Sequence, residues 1–109
     1  MRQVYMDHSA TTPVDPDVFK STIPYYNDRF GNPSSIYSLG RDAKKAVGKA
    51  REQIASLINV SPGEIYFTSG GTEADNQAII SYMMTNQERG NHLITSAVEH
   101  HAVLDACRF

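Results

Sequence analysis

The sequence predicts an α/β fold, a mostly parallel sheet with covering helices, and three observations carry that prediction. From Glu64 onward, short apolar runs alternate with helical patterns in the order strand, helix, strand, helix, the alternation that builds parallel sheets. The first of these strands passes through Gly70-Gly71 straight into a helix. Upstream, a long segment carries one continuous apolar stripe at helical spacing, as a helix laid on a sheet requires. At 109 residues, 40% hydrophobic and with a net charge of −2, the chain is of about one domain's size and reads as soluble globular material. No apolar run approaches the ~20 residues that span a bilayer, and the first residues lack the long apolar region of a signal peptide, so the expected compartment is the cytoplasm. Acidic and basic residues nearly balance, which predicts neither a nucleic-acid nor a membrane surface.

Gln3 to Asp7 reads as a short strand, followed by small polar residues from Asp7 to Pro13 that suit a turn or a close approach to a ligand. His8 has no second metal ligand at a recognisable spacing and reads as a surface or hydrogen-bonding histidine; no metal site is expected. Asp15-Pro16 is a helix start, with Asp as N-cap and Pro at the first helical position. Pro24 either kinks that helix or ends it. Gly31-Asn32-Pro33-Ser34-Ser35 has turn chemistry, and Ser34 or Ser35 is placed to cap the next helix. From about Tyr37 to Asn59, Ala43, Ala46, Val47, Ala50, Ile54, Leu57 and Ile58 recur at three- and four-residue steps. Arg41, Lys44, Lys45, Lys49, Arg51 and Glu52 take the other side as its solvated face.

Ser61-Pro62-Gly63-Glu64 matches a capping box for a single turn before Ile65-Tyr66-Phe67-Thr68 begins as a strand. Thr72 to about Gln87 is helical, and Arg89-Gly90-Asn91 ends it. His92-Leu93-Ile94-Thr95 reads as a second strand, and Ser96-Ala97-Val98-Glu99 as a capping box before a helix through Phe109. Cys107, the sole cysteine, excludes an intrachain disulfide and reads as a buried small apolar residue rather than a nucleophile.

The chemistry concentrates where the first strand turns into its helix. A helix start leaves backbone N–H groups without intrahelical partners and favours negative charge, and glycine lets a phosphate come close. Thr72 adds a hydroxyl, and Gly70 as N-cap with Glu73 three residues on forms a weak cap arrangement. In a parallel sheet the end of the second strand lies next to the first, which brings His100 near whatever that turn holds. A nucleoside triphosphate loop needs Gly-Lys-Ser/Thr, and no lysine precedes Thr72; the G-x-G-x-x-G dinucleotide pattern is absent too. A smaller phosphate ester with an aromatic ring remains, and pyridoxal phosphate fits that description.

The motifs then carry a resemblance. Tyr5 to Asp15, Phe30-Gly31-Asn32-Pro33-Ser34-Ser35, Phe67 to Asn76, Ile94-Thr95-Ser96, Glu99-His100 and Ala102-Val103-Leu104-Asp105 stand in the order and spacing of the N-terminal quarter of NifS/IscS-like cysteine desulfurases. These are pyridoxal-phosphate enzymes of fold type I within the class V aminotransferase family. The resemblance implies that Gly71 and Thr72 bind the phosphate of pyridoxal 5'-phosphate and that His100 stacks on its ring and assists proton movement. The Ala10 region would approach the substrate side. Tyr37 stands where the family often has histidine, so that position carries no role over.

The resemblance also implies L-cysteine as substrate, a homodimer or self-association, delivery of sulfur to an acceptor protein for iron–sulfur clusters, and two domains: residues 1–15 an arm of the small one, 16–109 the start of the large cofactor-binding one. A selenocysteine lyase, another class V member, or a non-catalytic piece that assembles with a partner chain are the alternatives. The family's cofactor-anchoring lysine and persulfide cysteine come much later in its chains. None of Lys20, Lys44, Lys45, Lys49 or Cys107 matches them, so this chain is expected to hold no catalytic residue and to release no sulfide from cysteine. The sequence stops inside an apolar-periodic helix, so a fragment that self-associates or stays molten is expected, its fold incomplete on its own.

Overall fold

The structure, a computed structural model, describes residues 3–109. Four α-helices and two single 3₁₀ turns make up its regular structure: α1 (Pro16–Asn27), α2 (Ser38–Ile58), a turn at Pro62–Glu64, α3 (Gly71–Thr85), a turn at Gln87–Arg89, and α4 (His101–Arg108). Among the described residues no strand forms, which corrects the sequence expectation of a sheet. Segments 3–7, 65–68 and 92–95 have the apolar, β-prone character of strands, but a strand is completed by the hydrogen-bond ladder of a neighbour. Local preference cannot supply that ladder.

The contacts divide the chain into two compact units, Met1–Ile65 and Tyr66–Phe109. In the first, Asp15 caps α1 as expected, its Oδ1 accepting from the N–H of Asp17 at 2.8 Å and of Val18 at 3.3 Å. Of the two courses open at Pro24, the helix continues to Asn27. The Pro24 carbonyl then gathers the N–H of Asp28 at 2.9 Å and of Arg29 at 2.7 Å, which closes the helix. α1 buries no residue. An open groove of about 850 Å³ separates its Val18 and Tyr25 from Ala46, Val47 and Ala50 of α2.

The N-cap of α2 is Tyr37, with no side-chain cap, so neither Ser34 nor Ser35 fills that role. Both serines are held instead by Asn32, whose Oδ1 accepts from Ser34 N–H and whose carbonyl accepts from Ser35 N–H, each at 2.9 Å. This loop folds back on the first turn of α2, where Gly40 is buried. The far end of α2 turns through Asn59 in the left-handed region (φ 56°, ψ 50°), and Val60 N–H returns to the Ala55 carbonyl at 2.9 Å. The basic face is solvated as expected except at Arg51, which is half-buried and donates from Nε to the Ile65 carbonyl at 3.0 Å. At Tyr5 and His8 the rings meet edge to face, with centroids 5.2 Å apart.

The second unit rests on α3 packed against α4, with Ala102 and Ala106 buried between them. Small side chains let the helices close, and the buried apolar residues of the whole described chain are alanines: these two with Ala43 and Ala55. Larger apolar groups stand open, among them Leu57 at 83% and Ile94 at 85% exposure. An unfinished core of this kind is what the sequence implies for part of a larger fold. Among the described residues no helix is long and apolar enough to cross a membrane.

Candidate functional site

The second unit places its chemistry at two helix starts. Gly70 is the N-cap of α3, as expected, in extended backbone (φ 169°, ψ 178°) that any residue adopts. Nothing lies within 4 Å of a Cβ built on either Gly70 or Gly71. Neither glycine is therefore demanded by the backbone or by packing within the chain. Both positions border open space at the start of the helix.

The cap arrangement differs in one partner from the expected one. Glu73 reaches past Gly70 to Ser69, its Oε2 accepting from Ser69 N–H at 2.7 Å and from Ser69 Oγ at 2.6 Å. Thr68 Oγ1 donates to the Gly70 carbonyl at 3.1 Å, and Ala74 N–H donates to the same oxygen at 3.1 Å as the first helical bond. The N–H groups of Gly71, Thr72 and Glu73 find no acceptor among the described residues. These amides, together with the Thr72 hydroxyl, form a donor set for an oxyanion at the positive end of a helix of 15 residues.

His100 is the N-cap of α4, which corrects the expectation that Ser96 and Glu99 cap it. Ser96 makes a turn of its own, its Oγ accepting from Val98 N–H at 3.3 Å and its carbonyl from Glu99 N–H at 3.5 Å. The His100 side chain accepts at Nδ1 from Ala102 N–H at 3.1 Å. An imidazole nitrogen that accepts carries no proton, so the neutral ring is protonated at Nε2.

The sheet was to bring Thr72 and His100 together, and the structure joins the two helix starts in another way. Asn76, one turn along α3, donates from Nδ2 to the Thr72 carbonyl at 2.8 Å and to the Ala102 carbonyl at 3.4 Å. One nitrogen thus ties the turn bearing Thr72 to the turn capped by His100. Sequence reasoning gave Asn76 no role, although asparagine inside a helix is itself a signal, because its amide tends to seek backbone partners. Cys107 is half-buried rather than buried. It lines an open hollow of about 670 Å³ with Ile79, Met83, Gln87, Asn91 and Phe109, toward the other ends of α3 and α4 from Thr72 and His100. No group of three or more His, Cys, Asp or Glu placed to hold a metal occurs among the described residues.

Two carboxyls at these turns give a pH dependence. Ser61 holds Glu64 below its ordinary value of 4.5, first through its backbone N–H and then through its hydroxyl; Ser69 does the same for Glu73, first through the hydroxyl. A carboxyl depressed in the folded state stabilises it above the unfolded value, and that contribution is lost as pH falls through the folded value. The Ser61 and Ser69 amide resonances are therefore expected to titrate with midpoints below pH 4.5. Midpoints at or above that pH would mean that neither bond forms.

Comparison with known proteins places these features in a family context. A family model described as aminotransferase class-V matches residues 4–109. The chain is 49% identical over 108 residues to the cysteine desulfurase IscS of Clostridium botulinum, covering 99% of this chain and 27% of that protein. It is 51% identical over 106 residues to the IscS of Methanosarcina thermophila, covering 97% and 26%. With the putative cysteine desulfurase IscS 1 of Bacillus subtilis it shares 50% over 107 residues, covering 98% and 28%. A solved structure of a NifS-like protein superposes with a TM-score of 0.92 at 39% identity, covering 98% of this chain and 29% of that one. The chain thus spans about a quarter of the length of the relatives it matches.

Proposed function

This chain belongs to the class V aminotransferase family, and we propose that it is the N-terminal portion of a pyridoxal-phosphate-dependent cysteine desulfurase that takes sulfur from L-cysteine for delivery to an acceptor protein. The observation that carries this reading is the 49–51% identity to named desulfurases over nearly the whole chain. The donor set at the start of α3 supports it: open amides and a hydroxyl, with no side chain on Gly70 or Gly71 to fill the approach, fit a phosphate monoester.

Gly71 and Thr72 hold the phosphate through their N–H groups and the Thr72 hydroxyl. His100 would cover the ring and offer its Nε2 proton to a bound substrate, because Nδ1 is engaged with Ala102. When bound, pyridoxal phosphate supplies the electron-accepting ring that labilises bonds at the substrate α-carbon. The family's cofactor-anchoring lysine and sulfur-carrying cysteine find no match among these 109 residues. Residues 1–15 form an arm of the small domain and 16–109 open the large one, in a homodimer.

Titration of the ¹⁵N-labelled chain tests the cofactor assignment. With pyridoxal phosphate the amides at the start of α3, Gly71 and Thr72 among them, and the ring of His100 are expected to shift together; inorganic phosphate should move the amides and leave the ring. An equal response to pyridoxal, which lacks the phosphate, or none at either helix start, would remove the basis for the assignment.

A further inference from the structure

We propose that Asn76 is a positioning residue for His100, acting through Ala102, whose carbonyl it holds and whose N–H faces the imidazole, to fix which imidazole nitrogen carries the proton. The chain of contacts is short. Both hydrogens of the Asn76 amide are used, one on the Thr72 carbonyl at 2.8 Å and one on the Ala102 carbonyl at 3.4 Å. Ala102 is buried against α3, and its own N–H donates to His100 Nδ1 at 3.1 Å. Holding Ala102 therefore holds the donor that keeps Nδ1 unprotonated. The same amide is anchored to the residue placed under the phosphate, so the two halves of the proposed cofactor site are set against each other by one side chain.

Neither aspartate nor serine replaces it at this position. Aspartate has no hydrogen to donate and would turn a negative charge toward two carbonyl oxygens. Serine can bond the carbonyl four residues back, as Thr85 does to Ser81 at 2.6 Å and Ser21 to Asp17 at 2.7 Å in this chain, but it is too short to cross to α4. Asn76→Ser therefore keeps the bond to Thr72 and removes only the one to Ala102, which separates support of α3 from positioning of His100.

The value of this arrangement to catalysis rests on the proposed pyridoxal phosphate site, but its test does not. Long-range ¹H–¹⁵N spectra of the imidazoles, recorded on the chain without cofactor at a pH where the rings are neutral, read the tautomer of each histidine. His100 is expected to be wholly protonated at Nε2, with His8, His92 and His101 serving as references. In Asn76→Ser it should become a mixture like the references, and hydrogen exchange at Ala102 should quicken at least tenfold while α3 amides from Ile79 to Met83 keep their protection. Asn76→Asp should give the same mixture. A reference-like mixture in the unmodified chain would overturn the proposal, as would an unchanged tautomer and unchanged Ala102 exchange in Asn76→Ser. Added pyridoxal phosphate separates the two readings: a tautomer that responds to Asn76 in a chain whose Thr72 and His100 ignore the cofactor upholds the positioning and removes the site.

Discussion

Gly40→Ala is expected to destabilise the first unit by about 2 kcal/mol, while Gly48→Ala, eight residues along the same helix, is expected to stabilise it by about 1 kcal/mol. A Cβ on Gly40 would lie 2.5 Å from the Ser35 carbonyl oxygen and 2.7 Å from both the Asn32 carbonyl oxygen and Ser35 Cβ. Two of those atoms are backbone, in a loop already fastened by the two bonds Asn32 accepts from Ser34 and Ser35, so they cannot swing aside as the tip of a side chain would. Overpacking of this kind costs about 3 kcal/mol at the upper end of its usual range, and the better helix propensity of alanine returns about 1. At Gly48 nothing lies within 4 Å of the added methyl, so only the propensity gain applies. Hydrogen exchange at the α2 amides should separate the two variants by about 3 kcal/mol, roughly two orders of magnitude in the local opening equilibrium. Equal effects would mean that the 31–35 loop does not rest on α2.

What the sequence made legible is what depends on neighbours a few residues away. Asp15-Pro16 reads as a helix start because its bonds reach only to Asp17 and Val18, and Ser61 with Glu64 closes on itself within four residues. The Gly70-Gly71 turn into α3 belongs to the same group. The strands failed because pairing needs a second segment that local preference cannot provide. At α4 the Ser96–Glu99 pattern was a true turn signal assigned the wrong role, since imidazole stands outside the usual capping set and nothing local marked His100 as the cap. Gly71, Thr72 and His100 were legible as positions at segment starts. Asn76 was not, because its second bond spans 26 residues and appears only once α3 and α4 pack.

Gly71→Pro and Thr72→Val are each expected to weaken pyridoxal phosphate binding by about tenfold to a hundredfold while α3 stays intact. Gly71 is the first residue of α3, the one helical position where proline is at home, because the N–H it lacks has no intrahelical acceptor there. The residue before a proline must be extended, and Gly70 already is, at φ 169° and ψ 178°. The Cβ of the proline also has room, since nothing beyond the chain neighbours and the helix's own backbone lies within 4 Å of that position. Proline thus deletes one proposed phosphate donor and leaves the helix. Thr72→Val removes the hydroxyl and keeps the branched shape, and a hydrogen bond to a charged group contributes about 1.5–3 kcal/mol, which sets the expected range for both variants. Gly71→Ala is the informative contrast, because it keeps the N–H and puts a methyl into the approach. If alanine weakens binding as much as proline, the glycine serves to leave space; if alanine binds like the unmodified chain and proline does not, it serves to present its amide. Unchanged affinity in both Gly71→Pro and Thr72→Val, read by titration of the remaining α3 amides and His100, would place the phosphate elsewhere.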